Sequence, residues 1–166
     1  TVITTPTITD SKATVNVKAH INRHIPHIDI QHAYKKILVE NKIRNAKGKV
    51  VASSKSSVGQ IKVNTHAVND QILTLRSPTL WSIENPYLYT IETTVKVDGK
   101  LVDRLTNPLG IRTVKFSANN GFELNGKRVQ IKGVCLHHDN GPLGAVANRR
   151  AIERKLQIMK SMGVNS

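Results

Sequence analysis

The chain has 166 residues, of which 39% are apolar, so it can bury the core of at least one domain. Its 25 Lys and Arg residues against 11 Asp and Glu residues give a formal net charge of +14, a balance compatible with binding to nucleic acid or another polyanion. The absence of a long apolar run argues against a membrane-spanning helix, and the single cysteine, Cys135, excludes an internal disulfide.

The first 115 residues are predicted to form short β-strands. Residues 13–21 alternate between apolar and polar side chains, with Val15 and Val17 on the apolar face, as in a half-buried strand. Gly48 lies between two such segments and is free to take a positive φ in a hairpin turn. The predicted strands cover residues 13–21, 35–45, 50–54, 58–68, 71–78 and 110–116, together with both arms of a hairpin over 87–107.

The hairpin over residues 87–107 is the clearest local signal. It turns at Asp98-Gly99, a pair typical of primed β-turns because those turns need positive φ. Seven or eight short strands separated by regular turns indicate a two-sheet sandwich of immunoglobulin-like size over residues 1–115.

The pattern changes after Phe116. Residues 122–131 predict a hairpin that turns at Asn125-Gly126, and residues 129–136 predict a mostly apolar strand. Residues 148–163 predict an amphipathic helix, with Asn148 as N-cap and Gly163 in the left-handed position at its end. The predicted apolar face of this helix consists of Ala151, Ile152, Leu156, Met159 and Met162.

This strand and helix form an incomplete unit in the sequence. A βαβ unit needs its second strand beside the first, and only a short apolar segment, which begins at Val164, follows the helix. We therefore expect the chain to be truncated just inside a βα-repeat domain. Since one apolar helix face needs a cover, we expect the sandwich or, as we predict, a partner chain to shield it.

The strand over 129–136 ends in the adjacent residues His137, His138 and Asp139. If the extended backbone continues, His137 and Asp139 share one face and His138 points the other way. Two ligands on one face are too few for a closed zinc site, so a metal centre is a weak interpretation. Two interpretations of His137 remain: it binds substrate, or it lies in a turn and has no functional role.

Other conspicuous residues have ordinary explanations. A second histidine cluster is interrupted by Pro26 and is interpreted as a solvated loop or strand edge. Trp81 is interpreted as a core or domain-junction residue rather than a sugar-stacking one, and Cys135 as a small buried apolar residue. The histidines of that cluster are His20, His24, His27 and His32.

Four motifs in order resemble glycoside hydrolase family 2, and bacterial β-galactosidases of that family most of all. They are "LWSIENPYLYT" at 80–90, "GIRTVKF" at 110–116, "FELNGKRVQIKGVCLHHDNGPLGA" at 122–145 and "RRAIERKLQIMKSMGVNS" at 149–166. The resemblance implies an immunoglobulin-like sandwich over 1–115, followed over 116–166 by the first strand and helix of a (β/α)8 barrel. The family's preceding jelly-roll domain and later barrel strands have no counterpart in this sequence.

The resemblance also implies a reaction and a site. The family hydrolyses β-linked sugars with retention, using two glutamates from later barrel strands. Glu123 and Glu153 do not correspond to either of these two catalytic glutamates. We therefore expect a catalytic parent enzyme and an inactive fragment that serves as scaffold. His137, at the mouth of the first strand, is expected to approach substrate, with Asp139 to orient it or contact sugar and His138 as a weaker candidate.

Several points stay open at this level. A β-galactoside is the expected substrate of the parent, but glucuronidases and mannosidases share the architecture. No cofactor is expected in the fragment, the parent's divalent-cation requirement is open, and a homo-oligomer is expected. The localisation is open between cytoplasmic, periplasmic and secreted, and the N-terminal segment does not have the pattern of a signal peptide.

Two other classes of function compete with the glycosidase. A non-enzymatic β-sandwich for carbohydrate binding or adhesion fits residues 1–115, but it would not need the strand and capped helix that follow. Nucleic-acid binding fits the charge, but the basic residues are spread out, and one Trp, three Tyr and two Phe offer few surfaces for base stacking. We therefore expect neither a nucleic-acid nor a membrane partner.

Overall fold

The computed structural model describes residues 1–22, 36–59, 61 and 65–166. The chain divides into two compact units, the N-terminal unit Thr1–Thr113 and the C-terminal unit Val114–Ser166. The division lies close to the boundary after residue 115 that the sequence predicts.

The N-terminal unit contains two antiparallel sheets, so the predicted mainly β sandwich is confirmed. The first sheet has the strand order β1-β2-β5, and the second has the order β4-β3-β6-β7. In the part of the unit that the structure describes, three strands face four, an immunoglobulin-like plan in which the fourth strand pairs with the third. The strands are β1 (Val2–Ile8), β2 (Lys12–Asn22), β3 (Ile37–Arg44), β4 (Val50–Val58), β5 (His66–Arg76), β6 (Tyr89–Val97) and β7 (Lys100–Leu109).

Alternating apolar side chains build the core between the two sheets. On β2 the predicted inward residues Val15 and Val17 are fully buried, and they pack in one cluster with Ile43 and Ile91 of the second sheet. Period-two strands from both sheets therefore direct one face each into a shared core, which removes the apolar face of each sheet from water.

One part of the same interior is polar. The Thr93 hydroxyl donates to Asn41 Oδ1 at 2.7 Å, and Gln71 Nε2 donates to Asn69 Oδ1 at 2.6 Å and to the carbonyl of Val39 at 3.1 Å. All four polar residues are buried. Because a buried polar group is destabilising unless it is paired, these bonds specify how β3, β5 and β6 face one another.

The predicted hairpin turns are confirmed by backbone geometry. Gly48 has φ 78° between β3 and β4, and Asp98 and Gly99 have φ 48° and 85° between β6 and β7. Consecutive positive φ values identify a type I′ turn, whose twist matches that of the strands it joins.

Strands β1, β4, β5 and β8 differ from the prediction, which lacked β1 and ended β4 at residue 54 rather than at Val58. Of the predicted strands over 58–68 and 71–78, Val58 ends β4 and residues 60 and 62–64 lie outside the described residues. His66–Arg76 form one strand, β5, whose eleven residues pair without interruption with β2. Asn69 and Asp70 read as a break in the sequence, but their register partners Ala19 and Lys18 keep them in the sheet. The strand predicted over 110–116 is β8, which begins at Val114 and pairs with β9 in the C-terminal unit rather than with the sandwich.

The C-terminal unit begins with a small antiparallel sheet of order β10-β9-β8, made of β8 (Val114–Ser117), β9 (Gly121–Leu124) and β10 (Lys127–Arg128). The predicted turn at Asn125-Gly126 is confirmed, with φ 51° and 73°. A 3-10 turn at Gly141–Leu143 and helix α1 (Arg149–Ser161) follow.

Helix α1 has the capping residues that the sequence predicts. Asn148 Oδ1 accepts the Ala151 N–H at 3.1 Å, and Gly163 has φ 86°. The Gly163 N–H donates to the carbonyl of Lys160 and the Val164 N–H to that of Met159, which is the Schellman pattern of helix termination.

Residues 129–136 do not form a regular strand, contrary to the prediction, although one rung of parallel pairing is present. The Ser166 N–H donates to the carbonyl of Lys132, and the Val134 N–H donates to that of Ser166. This places Gly133 opposite Ser166 in the pattern of parallel strands, with α1 as the connection. The second strand that a βαβ unit requires after α1 is therefore represented by its first residues.

The apolar side chains of the C-terminal unit are largely exposed. Leu156 and Met162 of the predicted apolar face are 51% and 73% exposed, and α1 buries no residue. Cys135 is also exposed, so its interpretation as a buried apolar residue is wrong, because residues 129–136 lack the sheet neighbours that would cover it. Within the described ranges, no helix has the length and apolarity needed to cross a bilayer.

Candidate functional site

His137 and His138 line a groove of about 250 Å³ in the C-terminal unit. One wall is the segment that leads out of residues 129–136, and the other is helix α1, which contributes Ile152 and Lys155. We call it the histidine groove, and its lining consists of Leu136, His137, His138, Asn140, Ala145, Ala147, Ile152 and Lys155.

The loop beside the groove is shaped by its own hydrogen bonds. Asp139 Oδ1 accepts the Gly141 N–H at 2.8 Å, while Asn140 Nδ2 donates to the carbonyl of Val146 at 2.8 Å and the Asn140 N–H to that of Gly144 at 2.9 Å. These bonds close a compact loop around the 3-10 turn at Gly141–Leu143, as Asx side chains commonly do.

Lys155 ties this loop to the helix. Its ammonium donates to the carbonyl oxygen of Asp139, sixteen residues earlier in the chain. The same side chain lines the groove together with His137 and His138, so it contributes a positive charge to the groove.

The three predicted site residues have different placements. His137 lines the groove, but Asp139 is not among the lining residues, and its carboxylate is engaged with the backbone of Gly141. His138 lines the same groove as His137, contrary to the expected alternation. Alternation fails because no strand continues through residues 137–139.

The groove offers hydrogen-bonding groups suited to a hydroxyl-rich ligand. Two imidazoles can donate or accept, the Asn140 amide can do both, and the Lys155 ammonium donates. Among the described residues that line it there is no carboxylate, so it does not contain the pair of acids that retaining glycoside hydrolysis requires.

The two glutamates of the C-terminal unit are engaged elsewhere. Glu153 accepts from Arg149 at 2.9 Å and from Arg150 at 3.4 Å on the helix surface. Glu123 lies on β9, with its carboxylate 4.0 Å from the Lys115 ammonium. Glu153 thus belongs to an exposed ion-pair cluster, whereas the Glu123 side chain is only 14% exposed.

Sequence reasoning missed Asn140 and Lys155. Asn140 stands before Gly141, in the kind of Asn-Gly pair that marks a turn. Lys155 lies three residues after Ile152, and this spacing places the two on one side of a helix. Helical spacing could therefore have predicted that Lys155 lies beside Ile152. It could not have predicted the hydrogen bond from Lys155 to the Asp139 carbonyl.

Other sequence candidates do not form a site in the described structure. Within residues 1–22, 36–59, 61 and 65–166, no group of three His, Cys, Asp or Glu side chains could hold a metal ion. Of the second histidine cluster, His20 is exposed on β2. The other members, His24, His27 and His32, lie outside the described residues.

Trp81 packs within the N-terminal unit. Its backbone N–H donates to the carbonyl of Ile111 at 2.8 Å, and the Arg112 guanidinium lies 4.7 Å from the centroid of its ring. A Cβ atom added at Gly110 would come within 3.3 Å of the ring, so glycine allows the close approach of this backbone. These contacts agree with the interpretation of Trp81 as a packing residue.

In architecture, the chain belongs to the class of proteins in which an immunoglobulin-like β-sandwich precedes a unit with a helix and parallel strand pairing. Comparison with known proteins makes this more specific, because residues 1–112 match the family model of glycosyl hydrolases family 2. The chain belongs to that family, and the resemblance seen in its motifs is confirmed.

Individual relatives cover almost all of this chain. The beta-galactosidase BoGH2A of Bacteroides ovatus is 40% identical over 99% of the chain and 19% of that protein, and a putative beta-glucuronidase of Formosa agariphila is 32% identical over 99% and 14%. The crystal structure of a family 2 member from Bacteroides cellulosilyticus superimposes with a TM-score of 0.84 at 36% identity, over 98% of this chain and 20% of that one. The chain thus spans about a fifth or less of the length of these relatives.

Proposed function

We propose that this chain is part of a retaining glycoside hydrolase that acts on a terminal β-linked sugar, with a β-galactoside as the first candidate. In this proposal the N-terminal unit is the scaffold sandwich, and the C-terminal unit is the opening of a (β/α)8 barrel. The single observation that carries the proposal is 40% identity to a named beta-galactosidase over 99% of the chain.

The geometry of the C-terminal unit supports the assignment to a barrel. Its single parallel rung between Lys132–Val134 and Ser166 is connected through α1, as the first repeat of a βα barrel requires. The histidine groove lies at the carboxyl end of the first of these segments, where barrel enzymes place their sites.

His137 is proposed to bind the sugar and stabilise the transition state, with His138 as a second contact in the same groove. A neutral imidazole can donate one hydrogen bond and accept another, which suits a sugar hydroxyl. Asp139 is proposed to act through the loop that it closes at Gly141, a positioning role rather than a contact with substrate. The two catalytic carboxylates are proposed to lie in the parent outside this chain.

The first test uses the full-length protein that contains this chain. Its kcat/KM is measured on nitrophenyl β-galactoside, β-glucuronide and β-mannoside, in wild type and in His137→Ala. We expect β-galactoside to be preferred and the variant to lose about 100-fold or more in kcat/KM, the usual effect of removing one transition-state hydrogen bond. A preference for another β-glycoside would correct the sugar, and full activity of the variant would contradict the role of His137.

The second test uses the 166-residue chain by itself. We expect no release of nitrophenol above that of its own His137→Ala variant, because no carboxylate pair lines the groove. Release that disappears in the variant would overturn the scaffold assignment. Sugar binding by the isolated chain without hydrolysis would instead favour the carbohydrate-binding module.

We also propose that the parent forms a homo-oligomer and that exposed apolar side chains such as Leu156 and Met162 favour self-association of the isolated chain. Sedimentation velocity at increasing concentration should show association, and Leu156→Glu should weaken it. A concentration-independent monomer would contradict this part of the proposal.

A further inference from the structure

Asn165 makes three hydrogen bonds to the backbone of the segment that leads to the histidine groove. Its side-chain Nδ2 donates to the carbonyl of Gln130 at 3.0 Å, its Oδ1 accepts the Lys132 N–H at 2.8 Å, and its own N–H donates to the Lys132 carbonyl at 3.0 Å. Although Asn165 is exposed, its side chain bonds to both an N–H donor and a carbonyl acceptor on the same neighbouring segment.

These partners correspond to a rung of the parallel ladder. In parallel pairing, the N–H of one residue donates to the carbonyl of the residue before its opposite partner. The carbonyl of the same residue accepts the N–H of the residue after that partner. Ser166 does this around Gly133, through the Lys132 carbonyl and the Val134 N–H. The preceding rung would have the peptide groups of Val164 bonded to the Gln130 carbonyl and the Lys132 N–H, and these are the two groups that the Asn165 side chain binds.

The Val164 N–H is already committed elsewhere. It donates to the Met159 carbonyl at 3.1 Å, which is the bond of the Schellman motif that spans more residues at the end of α1. One N–H cannot fully serve both the helix end and the first rung of the strand pair. The short passage from helix to strand therefore leaves the Gln130 carbonyl without the Val164 N–H as its donor, and the Lys132 N–H donates to Asn165 Oδ1 in place of the Val164 carbonyl.

We propose that the side-chain amide of Asn165 replaces the peptide group of Val164 in the ladder, and so sets the register of the parallel pair directly after the helix cap. A primary amide carries one acceptor oxygen and N–H donors in a plane, as a peptide does. Asp offers only the acceptor, and Ala offers neither. Asn165 is thus a positioning residue for residues 130–134, which lead to His137. The proposal rests on these contacts and is independent of glycosidase activity.

The experiment uses the isotope-labelled 166-residue chain and NMR. Hydrogen exchange is measured at the Lys132 amide and the Asn165 side-chain amide, and scalar coupling is sought between Asn165 Nδ2 and the Gln130 carbonyl carbon. We expect slowed exchange at both sites and a detectable coupling in wild type. In Asn165→Ala the Lys132 amide should exchange about five- to tenfold faster, the effect of losing one hydrogen bond.

Two variants make the result specific. Asn165→Asp keeps the acceptor for the Lys132 N–H, so this amide should stay within about twofold of wild type. Asn148→Ala removes the N-cap of α1 without touching the strand pair, and should accelerate helix amides while sparing Lys132. Rapid Lys132 exchange in wild type, no change in Asn165→Ala, equal acceleration in Asn165→Asp, or equal acceleration in Asn148→Ala would each overturn the proposal.

Discussion

The two units differ in how far they bury the same kinds of apolar side chain. In the N-terminal unit Val15, Val17 and Ile91 are fully buried, whereas in the C-terminal unit Ile131, Leu156 and Met162 are 52%, 51% and 73% exposed. Both units follow the hydrophobic period of their elements, two for strands and 3.6 for the helix. The period therefore defines which face is apolar, but burial depends on whether other elements are present to pack against that face.

The sandwich supplies its own partners. Among its described residues, seven strands form two sheets, and each sheet covers the apolar face of the other. The C-terminal unit has three short strands, one helix and a single parallel rung, which cannot enclose a comparable core. Stability should therefore reside mainly in the N-terminal unit, and the following predictions test that difference, from the largest expected effect to the smallest.

Truncating a core side chain should affect the N-terminal unit most. Ile91→Ala removes a fully buried side chain and should lower the free energy of unfolding by about 2 to 5 kcal/mol. Leu156→Ala, its control on the exposed helix face, should change it by less than about 0.5 kcal/mol. Urea unfolding followed by fluorescence of Trp81, the single tryptophan, measures the N-terminal unit, and hydrogen exchange of the α1 amides measures the C-terminal unit. Similar effects of the two variants would erase the contrast between the units.

Breaking the polar part of the sandwich interior should come second. Thr93→Val is nearly isosteric but leaves Asn41 Oδ1 without its 2.7 Å bond, so the loss of stability should be about 1 to 3 kcal/mol. The exposed Thr106→Val on β7 is the matched control and should be nearly neutral. If the two valine variants unfold at the same urea concentration, the polar interior does not contribute as described.

Changing the helix end should have a smaller effect, confined to the C-terminal unit. Gly163→Ala places a Cβ at φ 86° and should destabilise the end of α1 by about 1 kcal/mol. Faster hydrogen exchange at the amides of Met162 to Val164 would report it, with Trp81 fluorescence unchanged. Gly59→Ala, at a glycine with open space around it, is the control. An unchanged exchange pattern in Gly163→Ala would contradict the Schellman assignment.

The smallest effect should be electrostatic. The hydrogen bond from Lys42 to Glu40, together with the charges of Lys42, Lys96 and Lys55, holds the pKa of the Glu40 carboxyl below its ordinary value, although partial burial opposes this. A lowered folded-state pKa means that the stabilisation is complete above the ordinary value near 4.5 and disappears as the pH falls through the folded-state value.

Glu40→Gln should therefore be less stable than wild type at pH 7, by at most about 1 kcal/mol, and the difference should vanish in acid. Urea midpoints of both proteins between pH 7 and pH 3 measure it, and 1 M salt should reduce it. A difference that grows as the pH falls would show that the sign is wrong.

Local features of the fold could be predicted because their causes lie within a few residues. The strand alternation around Val15, the turns at Asp98-Gly99 and Asn125-Gly126, and the Asn148 cap each depend on side-chain period or on backbone φ. The site was predictable only in part. The sequence singled out His137, but the loop closed by Asp139 and the contact between Lys155 and the Asp139 carbonyl come from residues that the fold brings together.

By itself, therefore, the amino-acid sequence determined the faces, turns and caps of the individual elements, together with the family to which the chain belongs. Only the tertiary structure decided that β5 runs unbroken beside β2, that β8 pairs in the C-terminal unit, and that the Asn165 side chain takes the place of a peptide group in a parallel rung. The physical reason is that φ preferences and periodicity act along the chain, whereas pairing depends on which distant segment satisfies each backbone N–H and carbonyl group.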